Sequence, residues 1–410
     1  MPPISRRILN WFLSVALMAI VAGFASSHDF YLSSIQSPYF AASLAGVAII
    51  YVCIRPKIEI LHVAGVAAIL WGVEYTIAGT RATGIFLIVP TIALFGLAAL
   101  LLLGLRAVWT SGQEHSLLLY AFVPSLAFAA SDWYASDMLA ITERLHPEVY
   151  DFYLFSYDAS LVVQPATKLA QLFVLHPWFR ISSMIVYVGL ALPIALVYGL
   201  KLKRDGRKAL PVMYAFLATG PIGVLFYNLL PALGPAHVFG SAFPFHLPSY
   251  VQAARLVPDV VAYPGPRNAI PSLHMGWMLL AWWNSKGLPV FWRIVVMYFL
   301  VFTVFATLGT GEHYLVDLIV AFPFALLLQA LCRTSSPFGS KRRLIPLAVA
   351  VVALLTIVVW MALLVFAYRL FWISSAIPWI AATLTVGGSV ILHRWLASET
   401  GTNVVEPDAP

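Results

Sequence analysis

Apolar residues run through this chain in long, nearly unbroken windows, separated by short polar or proline- and glycine-rich breaks. Windows that reach or approach membrane-crossing length fall at roughly 10–26, 39–54, 59–79, 84–105, 117–131, 182–200, 209–231, 270–283, 290–309, 314–332, 344–368 and 374–393. Their mixed Leu, Ala, Val and Phe shows no period-two alternation of the kind a barrel strand needs. A segment in lipid must satisfy its own backbone hydrogen bonds, so each window predicts a helix. The expected fold is an all-α integral membrane protein with about twelve transmembrane helices.

Composition agrees with the pattern. Of 410 residues, 61% are hydrophobic and only 10% charged, where a soluble domain carries about 25% charged residues. So few charges would leave most of a globule's surface apolar in water, which excludes a cytosolic enzyme, a disordered protein and a nucleic-acid binder. Cys53 and Cys332 lie in apolar stretches far apart, so neither a disulfide framework nor a cysteine metal site is expected.

The net charge of +7 reads as topology. With Arg6 and Arg7 placed in the cytoplasm and the windows alternating sides, seventeen of the 24 Lys and Arg fall inside. Arg81, Arg144, Lys168, Arg180, Arg255, Arg267 and Arg369 are the exceptions outside. Both termini are then cytoplasmic. Residues 1–25 also read as a signal sequence, with Gly23-Phe24-Ala25 as its cleavage site.

Two outer connectors, 132–181 and 232–269, are long enough to suggest function. The first holds the aromatic run Tyr150 to Asp158 and an apolar stretch with Lys168, which predicts helices lying in the interface plane. The polar tail from about 396 to 410 is expected to be disordered.

Ionisable groups at membrane depth are costly, so they are the first functional candidates. His274 follows Pro271-Ser272-Leu273 at the start of the eighth window, and His313 and Asp317 lie at the start of the tenth. Two windows separate these starts, so both helices enter from one face, the outer one in this frame. His313 and Asp317 share a helix face at a spacing of four, which lets the carboxylate take the Nδ1 proton and leaves Nε2 as a nucleophile or base. His274 is then placed to protonate a leaving oxygen. Two His and a carboxylate also make a facial metal triad, but the spacing is loose and no metal is expected. Glu74, within the third window, is a further costly group and reads as sitting near the outer interface. His237 and His246 read as loop residues, and His28, His62, His115, His146, His176 and His393 as satisfied hydrogen-bonding residues.

These residues resemble the type 2 phosphatidic acid phosphatase superfamily. Its second motif is Pro-Ser-Gly-His, and its third has a His followed four residues later by Asp. Pro271 to His274 and His313 to Asp317 look like these motifs, and Leu273 with the Glu312-to-Asp317 form looks most like the inositol phosphorylceramide synthase branch and its bacterial relatives. The resemblance implies a six-helix core over about 111–335, preceded by about four accessory helices in 1–110 and followed by two helices and a polar tail in 336–410. It also implies that His313 forms a phosphohistidine, that Asp317 orients it and that His274 handles the leaving group or acceptor, without metal or cofactor. The partners implied are a lipid phosphate or phospholipid and, for a transferase, a lipid hydroxyl acceptor.

The chain departs from the family where the first motif's basic residues belong, at Tyr227 to Pro235, and where the third motif's Arg would fall, at Thr307. Phosphoryl charge must be met by cations or oriented donors. Arg267 is the expected phosphate-binding substitute, Arg255 the second, with backbone N–H groups of Gly309 and Gly311 as further donors. The competing readings are a polyprenyl-dependent glycosyltransferase with Asp29 as base, and a transporter, which matched halves and midplane sites would favour but the sequence lacks.

Overall fold

The computed structural model describes residues 3–30, 36–78, 88–333 and 341–401. In chain order its helices are α1 Pro3–Ala25, α2 Pro38–Ile54, α3 Ile60–Ala78, α4 Ile88–Trp109, α5 Gly112–Ala129, α6 Ser131–Leu145, α7 Asp151–Ser160, α8 Pro165–Leu175, α9 Pro177–Val188, α10 Ala191–Asp205, α11 Leu210–Leu229, α12 Pro235–Phe239, α13 Tyr250–Ala253, α14 Leu273–Asn284, α15 Val290–Gly309, α16 Leu315–Leu331, α17 Lys341–Phe366 and α18 Ala376–Gly401. One antiparallel ribbon, β1 Glu148–Val149 with β2 Val261–Ala262, joins the two long connectors.

Among the described residues eight helical stretches are long and apolar enough to cross a membrane, so the chain is a multi-pass, helical membrane protein. The windows at 39–54 and 314–332 lie on helices of 17 residues and the window at 270–283 on one of 12. Hydropathy averages across the breaks that limit these helices. A 12-residue helix rises about 18 Å against a hydrocarbon core of about 30 Å. The window at 182–200 is interrupted by a turn at Gly189 and Leu190, and α8 meets α9 at an angle of 117° around His176. The tail expected to be disordered from 396 is helical to Gly401, because Leu396 is fully buried and its carbonyl accepts from Arg333. Residues 402–410 lie outside the described residues, as do Arg81 and the start of the window at 84–105.

The chain divides into two compact units. The first comprises residues 1–136, 188–217 and 284–296. Within it α2 and α4 pack at backbone contact: a Cβ on Gly96 would stand 2.0 Å from the Leu44 carbonyl oxygen. Gly96→Ala must push these helices apart, at a cost of about 1–3 kcal/mol. It is expected to lower the unfolding temperature in detergent, and an unchanged midpoint would contradict this packing. One end of the unit is closed by a nearly buried Glu59. It accepts from Arg55 at 2.8 Å, Arg106 at 2.9 Å and the Tyr51 hydroxyl at 2.9 Å. A carboxylate this buried is tolerable because it is paired and hydrogen-bonded.

The second unit comprises residues 137–187, 218–283 and 297–410. Its centre is α16, which packs against both α17 and α18 and buries most of its length, including Phe324 and Leu328. The first turn of α16 is where the chemistry lies.

Candidate active site

The site assembles where the loop before α14, the loop before α16 and helix α7 converge. Glycine lets the loop after α11 approach the loop before α16. Gly234 holds φ +113°, and a Cβ there would stand 2.3 Å from the Glu312 carbonyl oxygen. The Ala236 N–H donates to the Gly311 carbonyl at 2.9 Å, which ties the loop after α11 to the loop that carries His313.

His313 is buried, 2% exposed. Its Nδ1 lies 2.9 Å from the Ala269 carbonyl oxygen and 3.4 Å from Asp317 Oδ2. A carbonyl only accepts, so Nδ1 carries the proton and Nε2 keeps its lone pair. Nε2 faces the Ser272 hydroxyl at 3.2 Å. The His274 ring stands 6.0 Å from the His313 ring between centroids, tilted against Tyr187 at 4.3 Å and edge-on to Trp277. The Tyr187 hydroxyl contacts His274 Nδ1 at 3.3 Å. The structure thus brings together His313, His274 and Asp317, on two helix starts 39 positions apart in sequence.

Asp317 is completely buried and caps its own helix, accepting from the Tyr314 N–H at 2.8 Å. Its backbone carbonyl takes the Ser272 N–H at 3.1 Å, locking the two motif segments together. Ser272 in turn caps α14, accepting from the Met275 N–H at 3.4 Å.

Two further carboxylates, which sequence reasoning missed, hold this arrangement. Asp158 accepts the Leu315 and Val316 N–H groups at 2.8 and 3.3 Å, satisfying donors that the first turn of α16 would otherwise leave orphaned. Asp151 accepts from Leu233 and Gly234 N–H at 3.0 and 2.8 Å and from the Tyr314 hydroxyl at 3.2 Å. Burial pushes the Asp151 carboxyl up to about 7 and the Asp158 carboxyl up to about 8. Their signal was present in the aromatic run Tyr150 to Asp158, where two acids sit at a spacing of seven, two helical turns, on one face. His237 contacts Glu312 at 3.3 Å, and that hydrogen bond raises the imidazole pKa.

Arg267 does not take the expected phosphate-facing place. It is 1% exposed, and four of the five N–H bonds of its guanidinium are spent on backbone carbonyls: Nε on His146 at 2.7 Å, Nη2 on Pro147 at 2.7 Å and Tyr263 at 2.8 Å, and Nη1 on Gly265. The residue clamps the β1–β2 connection, because carbonyls buried there need donors and a planar fork supplies several at once. Arg267→Lys keeps the charge but not the fork, and each carbonyl left unpaired costs about 1–3 kcal/mol. The expected outcome is a lower unfolding temperature with unchanged KM in the active fraction. A raised KM at unchanged stability would restore the phosphate-binding role.

Arg255 is exposed and lines a surface cavity together with Arg369. The Gly311 N–H donates to the Leu308 carbonyl at 3.1 Å and Gly309 ends α15, so neither amide takes the expected role as a donor to phosphate. Thr307, at the position of the family's arginine, accepts the His313 N–H through its carbonyl at 3.2 Å. Asp29 and Glu74 belong to the other unit, and His246 is exposed. His115 and His146 are held by the Ala107 carbonyl and Asn228, and His393 is stacked on Trp283. Among the described residues no group of three or more His, Cys, Asp or Glu is placed to hold a metal ion.

Residues 153–331 match the family model of the PAP2 superfamily. The matched stretch takes in Asp158, Tyr187, Ser272, His274, His313 and Asp317. It supports the PAP2 superfamily for this part of the chain, and with it a membrane enzyme of the phosphatase type acting on lipid phosphates. No curated protein and no solved structure matches the chain.

Proposed function

We propose that the protein transfers a phosphoryl-containing group from a lipid phosphate or phospholipid through a phosphohistidine on His313, in the manner of an inositol phosphorylceramide synthase. The observation that carries this reading is the His313 tautomer: Nδ1–H is spent on Ala269 and Asp317, which leaves the Nε2 lone pair directed into the site. Nε2 forms a bond to phosphorus as the P–O bond to the leaving group breaks, and His274 gives that oxygen a proton. A phosphate anion between the rings favours the imidazolium form of His274, which takes its proton from solvent as substrate binds. An acceptor hydroxyl then gives its proton to His274 and its oxygen to phosphorus, releasing Nε2. Asp317 acts as a positioning residue for the imidazole and its developing charge.

Burial favours transfer over hydrolysis. Ser272 and Asp317 are fully buried and His313 nearly so, which limits bulk water as acceptor and suits a hydroxyl borne by a lipid or polyol. Burial raises the pKa of Asp151 and Asp158, which lessens their repulsion of a phosphate in a site without a basic motif residue. The core of about 111–335 and an active site on the outer leaflet belong to the same proposal.

The contact of Ser272 Oγ with His313 Nε2 at 3.2 Å favours a second reading, in which Ser272 is the nucleophile and His313 its base. One experiment tests both. Purified protein is incubated with phosphate-labelled phospholipid and a lipid acceptor, quenched, and split between acid and alkali. Acid-labile, alkali-stable label on the protein, absent in His313→Ala, supports phosphohistidine; acid-stable label supports Ser272. Label in a new lipid marks a transferase and free labelled phosphate a phosphatase. No histidine-dependent product across a broad lipid panel would overturn the reading.

A further inference from the structure

Of the basic residues that the positional rule leaves on the minority side, two converge. Arg255, just after α13, and Arg369, in the 3-10 turn Tyr368–Trp372 between α17 and α18, line one cavity of about 380 Å3. That volume is within the range that takes small ligands, about 300–1,000 Å3. In the orientation expected from the sequence both lie on the side where Lys and Arg run against the topological preference, and they come to one cavity from distant parts of the sequence. Both are exposed, and neither guanidinium forms an ion pair among the described residues.

The other walls are amphipathic. Tyr368 and Trp372 line the cavity, and Trp372 is fixed by its indole N–H, which donates to the Ser156 hydroxyl at 3.0 Å. Around them Leu256, Val257 and Ile373 line the cavity yet remain 51%, 71% and 71% exposed. Cations flanked by Tyr and Trp and rimmed by outward-facing aliphatics match a membrane interface, where head groups lie beside acyl chains. None of Ser272, His274 or His313 lines the cavity. Helix α7 connects the two places: Asp151 and Asp158 serve the buried site, while Ser156 holds Trp372 and Tyr153 packs on Tyr368 at 5.7 Å.

We propose that this cavity is a second phosphate-binding site, in which Arg255 and Arg369 hold the phosphate of an anionic lipid head group while Leu256, Val257 and Ile373 meet its chains. Paired guanidiniums suit phosphate because each offers planar, paired donors.

The test is native mass spectrometry of the full chain in detergent, titrated with phosphatidylglycerol, phosphatidylcholine or inorganic phosphate. Wild type is expected to retain phosphatidylglycerol over phosphatidylcholine. Each Arg→Gln change, R255Q or R369Q, should weaken that retention about fivefold. Competition by inorganic phosphate with the same arginine dependence would support recognition of the phosphate alone. Arginine-dependent lipid binding without such competition would support the head group as the source. The charge-retaining changes R255K and R369K should keep more binding than R255Q and R369Q, which separates lost charge from lost fold. Equal retention of phosphatidylglycerol by wild type and the R255Q/R369Q protein would overturn the proposal.

Discussion

His313→Ala is expected to reduce turnover of a lipid phosphate by about 10³-fold or more, with the protein still folded. In the proposed mechanism the substitution removes the atom that bonds to phosphorus, and in the alternative it removes the base that activates Ser272 at 3.2 Å. His274 is 6.0 Å away between ring centroids and sits in an aromatic cage with Tyr187 and Trp277. His274→Ala should leave covalent labelling by substrates with good leaving groups while slowing those with poor ones, because a general acid matters most when the departing oxygen is basic. Asp317→Asn retains an acceptor for the Tyr314 N–H at 2.8 Å but weakens the hold on Nδ1, so its loss should appear in kcat more than in KM. The measurement is initial rates in proteoliposomes beside unfolding midpoints for each variant. A His313→Ala protein within tenfold of wild type would remove His313 from the reaction.

Asp158→Ala is the substitution expected to damage the fold of the site most. It strips the acceptor from two N–H groups at the start of α16, Leu315 and the buried Val316. Each orphaned donor costs about 1–3 kcal/mol, a large share of a typical stability of about 5–15 kcal/mol. Asp158→Asn keeps one acceptor oxygen and should lie between wild type and alanine. The pH dependence has a definite sign. Burial pushes the Asp158 carboxyl up to about 8, so the folded chain holds this proton where the unfolded chain releases it. The contribution is complete below the ordinary carboxylate pKa and is lost as pH rises towards 8. The stability gap between wild type and Asp158→Asn should therefore narrow from pH 5 to pH 8, read from thermal unfolding in detergent. A gap that widens with pH would mean the folded state holds Asp158 as a carboxylate.

The sequence by itself determined the helical membrane class, because window hydropathy is a local, additive property and lipid leaves the backbone few alternatives. It also determined which residue types could carry chemistry, since His274, His313 and Asp317 stand out against an apolar background and the spacing of four defines a helix face. Only the tertiary structure decided which polar groups serve the site. Arg267 looked like a phosphate ligand from its place before Pro271, yet its guanidinium is consumed by the carbonyls of His146, Pro147, Tyr263 and Gly265. Asp151 and Asp158 looked like part of an interfacial aromatic segment, yet they cap and brace segments more than 80 and 150 residues away. Arg255 looked like a second phosphate ligand of the catalytic site and Arg369 like a stray charge, yet they share a separate cavity. The physical reason is common to all three. Where a buried polar group finds its partner depends on which backbone donors and carbonyls are left unpaired when distant segments meet, and that accounting does not exist until the chain has folded.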